Sequence, residues 1–159
     1  MRIRRAAHSG VASVFFSWIE VSVRRQKKVK RENKVHIFDR LLIAQQSELD
    51  AALMYLALAK KAKVQKDADT FRQIAADKKK HSEVFRSMTN TELKPNRKRA
   101  ILIWVLYKLL GRKGLYPVLA VAEYRAHQRY DELARRYNSV RLVWNEQKKH
   151  GDKIVKLLY

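Results

Sequence analysis

The sequence predicts an all-α fold: an antiparallel four-helix bundle with one long crossover between its second and third helices. Three observations carry that expectation. From Val35 onward apolar residues recur at three- and four-residue steps almost without interruption. Four Gly and two Pro leave little turn chemistry for a sheet-rich fold or a glycine-rich phosphate loop. Short turns separate the first helix from the second and the third from the fourth, while a long connection joins the middle pair. Short turns force antiparallel neighbours, and the long connection lets the third helix run parallel to the second.

The elements follow in order. Ile37, Leu41, Leu42, Ala44, Gln45, Glu48, Ala51, Ala52, Tyr55, Leu56 and Ala59 recur at three- and four-residue steps, which predicts a first helix to about Lys63. Asp67 is the expected N-cap of a second helix, whose stripe carries Phe71, Ile74, Ala75, Lys78, His81, Val84, Phe85 and Met88. The pattern breaks from Thr89 to Asn96, with Pro95 as the stop signal. A short apolar stretch, Ala100 to Leu110, is bracketed by RKR and GRKG. Pro117 is placed in the first turn of a third helix, which continues through Ala120, Glu123, Ala126, Tyr130, Leu133 and Ala134. Asn138 and Ser139 read as a tight turn, and Val140 to Leu158 as the fourth helix.

The chain holds 159 residues, 47% of them hydrophobic, the length of one domain able to bury a core. It has no cysteine, which excludes disulfides, thiolate metal sites, iron–sulfur clusters and a thiol nucleophile. Lys and Arg number 36 against 15 Asp and Glu, a formal charge of +21 that calls for an anionic partner. Ten of the basic residues and two of the acids fall in the first 34 positions, so 1–34 reads as a basic extension and 35–159 as the bundle. The apolar run from Val11 to Val23 is broken by Glu20 and is too short to span a bilayer. An Arg-rich, acid-poor start suits an organellar targeting segment or a surface-binding helix as well as an unspecialised extension. The body is expected to be cytoplasmic, with an anionic membrane surface and a homodimer as partners to consider. Nucleic acid is the weaker alternative, because no aromatic residues interleave with the basic runs.

An internal repeat is the strongest signal. Glu48 and Tyr55 in the first helix match Glu123 and Tyr130 in the third; Asp77 and His81 in the second match Glu146 and His150 in the fourth. Each half thus carries an acid two turns from a tyrosine, then an acid one turn before a histidine. A carboxylate on an apolar stripe is costly unless a cation or strong hydrogen bonds compensate it. A metal ion shared by four helices is the economical answer.

On these residues the chain from about Phe38 to Leu158 resembles a rubrerythrin-type member of the ferritin-like superfamily. It is most similar to the rubrerythrin-like domain of vacuolar-iron-transporter-type fusions, and the stretch ILIWVLYKLLGRKGLYPVLAVAEYRAHQRYDEL supports this. The resemblance implies a di-iron carboxylate centre for ferrous oxidation, peroxide reduction or iron capture. The metal ligands it implies are Glu48, His81, Glu123 and His150. Tyr55 and Tyr130 would orient the carboxylates by hydrogen bonds. No rubredoxin module accompanies the bundle in this cysteine-free chain.

The family pattern also requires Glu-x-x-His on the second and fourth helices. Here Lys78 stands three residues before His81 and Gln147 three before His150, so both bridging carboxylates are replaced. A lysine about 5 Å from a dication would cost on the order of 7 kcal/mol at an effective dielectric of about 20. Three arrangements follow. Lys78 replaces the metal and pairs with Glu48 and Glu123. Alternatively, one iron, manganese or zinc ion sits on Glu48, Glu123, His81 and His150. In the third, Asp77 and Glu146 supply the lost carboxylates. His127, one turn beyond Glu123, is a further candidate ligand.

Overall fold

The computed structural model describes residues 36–159, so the expectations placed on the basic segment 1–34 lie outside the described residues. Leu41–Tyr159 form one compact unit, and the described residues before it, 36–40, are helical. The first helix, α1, covers residues 36–59. It is followed by α2 (Gln65–Thr89), α3 (Arg97–Arg136) and α4 (Asn138–Lys156). The described residues contain no strand. They form the expected all-α four-helix bundle with a crossover.

Several boundaries differ from the expectation, each for a local reason. In α1 the helix stops at residue 59, because Lys60, Lys61 and Lys63 have nothing to bury. Asp67 is not an N-cap. The N-cap of α2 is Val64, without a side-chain hydrogen bond. Asp67 instead lies buried in the first turn, accepting a 2.7 Å hydrogen bond from Tyr116 and pairing with Arg112 at 3.1 Å. At its other end α2 closes on Asn90 in the left-handed region, φ 49°, which an asparagine adopts more readily than most side chains.

The 90–96 segment is held by polar side chains of α1. Gln45 donates to the Thr91 carbonyl at 2.8 Å and Gln46 to that of Lys94 at 3.0 Å. Asp50 accepts from the Asn96 amide at 2.7 Å, and the Asn96 side chain caps α3 by accepting from the Lys98 amide at 2.9 Å. The apolar stretch and the third helix are then one element, broken at Gly111 with φ 61° and ψ −167°. Pro117 therefore lies inside α3 instead of in its first turn. Asn138 and Ser139 are not a turn but the start of α4, and Tyr137 alone forms the junction.

Contacts fix the topology. Phe71 meets Tyr116, Lys78 meets Glu123 and Phe85 meets Tyr130, a constant offset of 45 residues that makes α2 and α3 parallel. Glu48 with His81 and Tyr55 with Phe71 make α1 and α2 antiparallel; Tyr124 with Asp152 and His127 with Trp144 do so for α3 and α4. The main apolar cluster lies to one side of the bundle centre, where Tyr55, Phe71 and Tyr116 pack in series against Leu58, Leu115 and Ile154. Arg112, released by the break at Gly111, joins that end together by donating to the Leu157 carbonyl while pairing with Asp67.

The break depends on glycine for its backbone, since a Cβ at 111 would meet nothing within 4 Å. Its φ and ψ belong to a region that is essentially glycine-only, where another residue costs about 1–3 kcal/mol. Gly111→Ala is expected to lower unfolding free energy by about that amount in a denaturant titration. An unchanged midpoint would mean that the crossover can be rerouted at no cost.

Candidate functional site

Glu48 of α1 and Glu123 of α3 meet in the middle of the bundle, both buried. The repeat in the sequence becomes an approximate two-fold in space. Tyr55 donates to Glu123 Oε1 at 2.7 Å, and Tyr130 donates to Glu48 Oε1 at the same distance. Each tyrosine thus reaches across to the acid of the other hairpin. Ala52 and Ala126 are buried on the same helices as the acids, and such small side chains let helices approach closely.

Between the carboxylates lies Lys78, whose side chain is 2% exposed. Its ammonium donates to Glu123 Oε2 at 2.6 Å, stands 3.4 Å from Glu48 Oε2, and donates to Gln147 Oε1. Gln147 in turn donates to Glu48 Oε1 at 2.9 Å. Lys78 and Gln147 occupy equivalent places in the two hairpins and complete each other, since the amide accepts from the ammonium and donates to the carboxylate. Burial alone would raise both carboxyls. The Lys78 charge outweighs it, helped by His81 and the Tyr130 hydroxyl at Glu48, which is held at about 2. Glu123 is likewise lowered. Burial pulls Lys78 down, but Glu48 and Glu123 raise it above its ordinary value, so the ammonium stays charged.

The histidines lie farther from the axis. His81 Nδ1 is 3.2 Å from Glu48 Oε2 and its Nε2 is 2.6 Å from Glu146 Oε2. Carboxylates only accept, so satisfying both requires both ring nitrogens to carry protons. Burial pushes His81 down, yet the two acids raise it. His150 repeats the pattern more loosely, with Nε2 3.3 Å from Asp77 and Nδ1 3.8 Å from Glu123 Oε2. At that distance Nδ1 has no hydrogen-bond partner, and the same oxygen accepts from Lys78. Asp77 and Glu146 are therefore behind the imidazoles, away from the axis. His127 stacks on Trp144 at 4.3 Å and donates to its carbonyl at 2.7 Å, which turns its Nδ1 away from the carboxylates. Gly151, next to His150, permits close helix approach there, since a Cβ would lie 2.6 Å from the Tyr124 ring.

These donors do not fit a two-metal centre. An ammonium fills the space between the carboxylates, an amide replaces the second bridging acid, and each histidine is already engaged by an acid. Among the described residues no three His, Asp or Glu side chains form a group able to hold a metal ion. Beside the cluster a cleft of about 290 Å³ opens between α1 and the two segments of α3, with Arg99 and Arg129 among its lining residues. Neither arginine stood out in the sequence, because Arg99 belongs to a run of helix-end charges and Arg129 to an ordinary helix back.

A one-crossover bundle with a carboxylate–imidazole cluster on its axis is of the ferritin-like class. The rubrerythrin family model matches residues 39–104, and over that stretch the chain is similar to rubrerythrins. The match takes in Glu48, Tyr55, Lys78 and His81; the corresponding residues of α3 and α4 are reached through the internal repeat. No curated protein and no solved structure matches the chain.

The charge cluster gives stability a definite pH dependence. Glu48 and Glu123 fall below their ordinary 4.5 on folding, so they stabilise the bundle above that value; Glu48 ceases to as pH drops towards 2, and Glu123 as pH falls through its own lowered value. His81 rises above 6.5, so its contribution is full below 6.5 and is lost as pH climbs through its folded value. Lys78 behaves in the same way above 10.5. Melting temperature should therefore peak at roughly pH 5–6, with His81→Gln flattening the decline above pH 6.5 and also reducing Glu48's share of the acid limb. A His81→Gln profile parallel to the parent would remove His81 from this account.

Proposed function

We propose that this chain is a ferritin-like bundle that works without a metal centre and acts as a binding module. One observation carries the reading: the buried Lys78 ammonium within 2.6 Å of Glu123 and 3.4 Å of Glu48. It supplies the positive charge those carboxylates require, so the cluster is closed without an added cation. The competing reading keeps the family's link to iron, with a single ion on Glu48, Glu123, His81 and His150 and a ferroxidase or peroxidase-like activity. It requires Lys78 to leave its salt bridges or lose its proton, and the acids that raise it oppose both.

Metal analysis separates the two readings. Protein purified without chelator should hold less than about a tenth of an equivalent of iron, manganese or zinc, and ferrous iron should leave its melting temperature unchanged. Lys78→Glu restores an acid at the bridging position and should gain metal-dependent stabilisation. Stoichiometric metal in the parent protein, or melting that rises with ferrous iron, would overturn the metal-free reading.

Binding would then belong to the surface. The first segment of α3 exposes Ile101, Leu102, Val105, Leu109 and Leu110. Arg97, Lys98, Lys108 and Lys113 flank them, and Lys108 lies over the Trp104 ring at 4.2 Å. No described helix is long and apolar enough to cross a membrane. An apolar face ringed by basic residues suits an anionic lipid surface, with side chains entering the head-group layer and lysines meeting phosphates. The full chain should bind phosphatidylglycerol-containing vesicles, weakening with salt, and phosphatidylcholine vesicles much less. Ile101→Glu with Leu109→Glu should reduce binding by at least about ten-fold. Salt-independent binding, or a preference for duplex DNA over the vesicles, would sink the proposal.

A further inference from the structure

The cleft beside the Lys78 cluster has a composition that the surface reading does not use. Its walls come from three helical stretches: Met54 on α1, Ile103 and Leu106 before the break in α3, and Leu119, Ala122 and Ala126 after it. These walls are apolar. At its floor are Tyr55, Glu48, Lys78 and Glu123, whose polar atoms already satisfy one another. A ligand entering the cleft would find no unpaired polar partner among those groups. A concave apolar wall is stabilised by whatever covers it, and a volume of about 290 Å³ is near the lower end for small-molecule sites.

The unspent polar capacity is cationic. Arg129 is exposed, and among the described residues no hydrogen bond or ion pair engages it. Among the described residues Arg99 makes only a 3.4 Å hydrogen bond to Ser47 and a 3.9 Å approach to Asp50, which leaves most of its guanidinium donors open there. The exposed arginines belong to the solvent side of the cleft, and the buried cluster to its inner side. A bound molecule should therefore place an anionic head at the arginines and an apolar body against the walls. A neutral or cationic head would leave the guanidinium donors unmatched.

We propose that this cleft binds a short amphiphile with a carboxylate or phosphate head, held by Arg99 and Arg129, and an apolar body between α1 and α3. Leu102 borders both this cleft and the face exposed by Ile101, Val105 and Leu109, whereas Arg99, Arg129 and the remaining walls belong to the cleft, and binding there in solution does not require that face to meet lipid. The small volume selects a short chain or a compact ring over a long acyl chain.

Calorimetric titration of the full chain with octanoate, octyl phosphate and octanol tests this. Saturable one-to-one binding of at least one of the two anions is expected, and their relative affinities identify the head group. Octanol should bind at least about ten-fold more weakly than the better anion. Arg129→Gln should weaken the anion by about ten-fold and leave octanol unchanged. Ala122→Trp, at an exposed wall position, should fill the cleft and abolish binding of all three without changing the melting temperature. Equal binding of octanol and the anions would overturn the proposal, as would non-saturating uptake by many sites. Undiminished binding to Ala122→Trp would also overturn it. If that variant does not fold, undiminished anion binding by Arg129→Gln decides against the site.

Discussion

The bundle is organised around two carboxylates that cannot face each other unaided. Glu48 and Glu123 are buried on opposing helices, and the Lys78 ammonium between them, with its amide partner Gln147, supplies the central compensation for that arrangement. Removing one member of such a buried pair typically costs about 3–5 kcal/mol, because the charge left behind has no partner. Replacing the whole group with well-packed apolar residues can be neutral. The cluster is thus a strict constraint on its own members without being a large net source of stability. It fixes the register of all four helices, since Lys78, Glu123, Gln147 and Glu48 each come from a different one.

The supporting residues follow from that constraint. Tyr55 and Tyr130 each reach across the bundle to the opposite glutamate, so neither hairpin can slide without breaking a hydrogen bond in the other. His81 and His150 connect the cluster to the outer acids Glu146 and Asp77, which carries charge compensation to the edge of the core. The apolar packing lies to the side, in the Tyr55, Phe71 and Tyr116 series. Tyr55 belongs to both systems, with its ring in the apolar cluster and its hydroxyl on Glu123.

The sequence displayed most of this because the repeat is written in it twice. Helical periodicity gave four elements, and the paired Glu, Tyr and His positions identified which faces meet. What sequence reasoning missed were contacts with no periodic trace. Asp67 looked like a cap because an acid near a helix start usually is one; its burial depends on Arg112 and Tyr116, more than 40 residues away, and on the turn at Gly111 that brings them there. Pro117 looked like a helix start because the break six residues earlier falls on a glycine within an otherwise helical pattern. Arg99 and Arg129 share a cleft because the two segments of α3, on either side of Gly111, line it together with α1, which single-helix patterns do not encode.

The two hairpins are alike, but the places of Lys78 and Gln147 are where the likeness fails. Two identical hairpins assembled as a dimer could not hold this centre. A lysine at 78 would bring a second lysine to the place of Gln147, and two ammonium groups would confront each other at hydrogen-bonding distance. Joining both halves in one chain frees each position to change separately, so one can become a cation and the other an amide that accepts from it. The covalent crossover between α2 and α3 is therefore more than a tether: it is what permits an unequal pair on an otherwise equal axis.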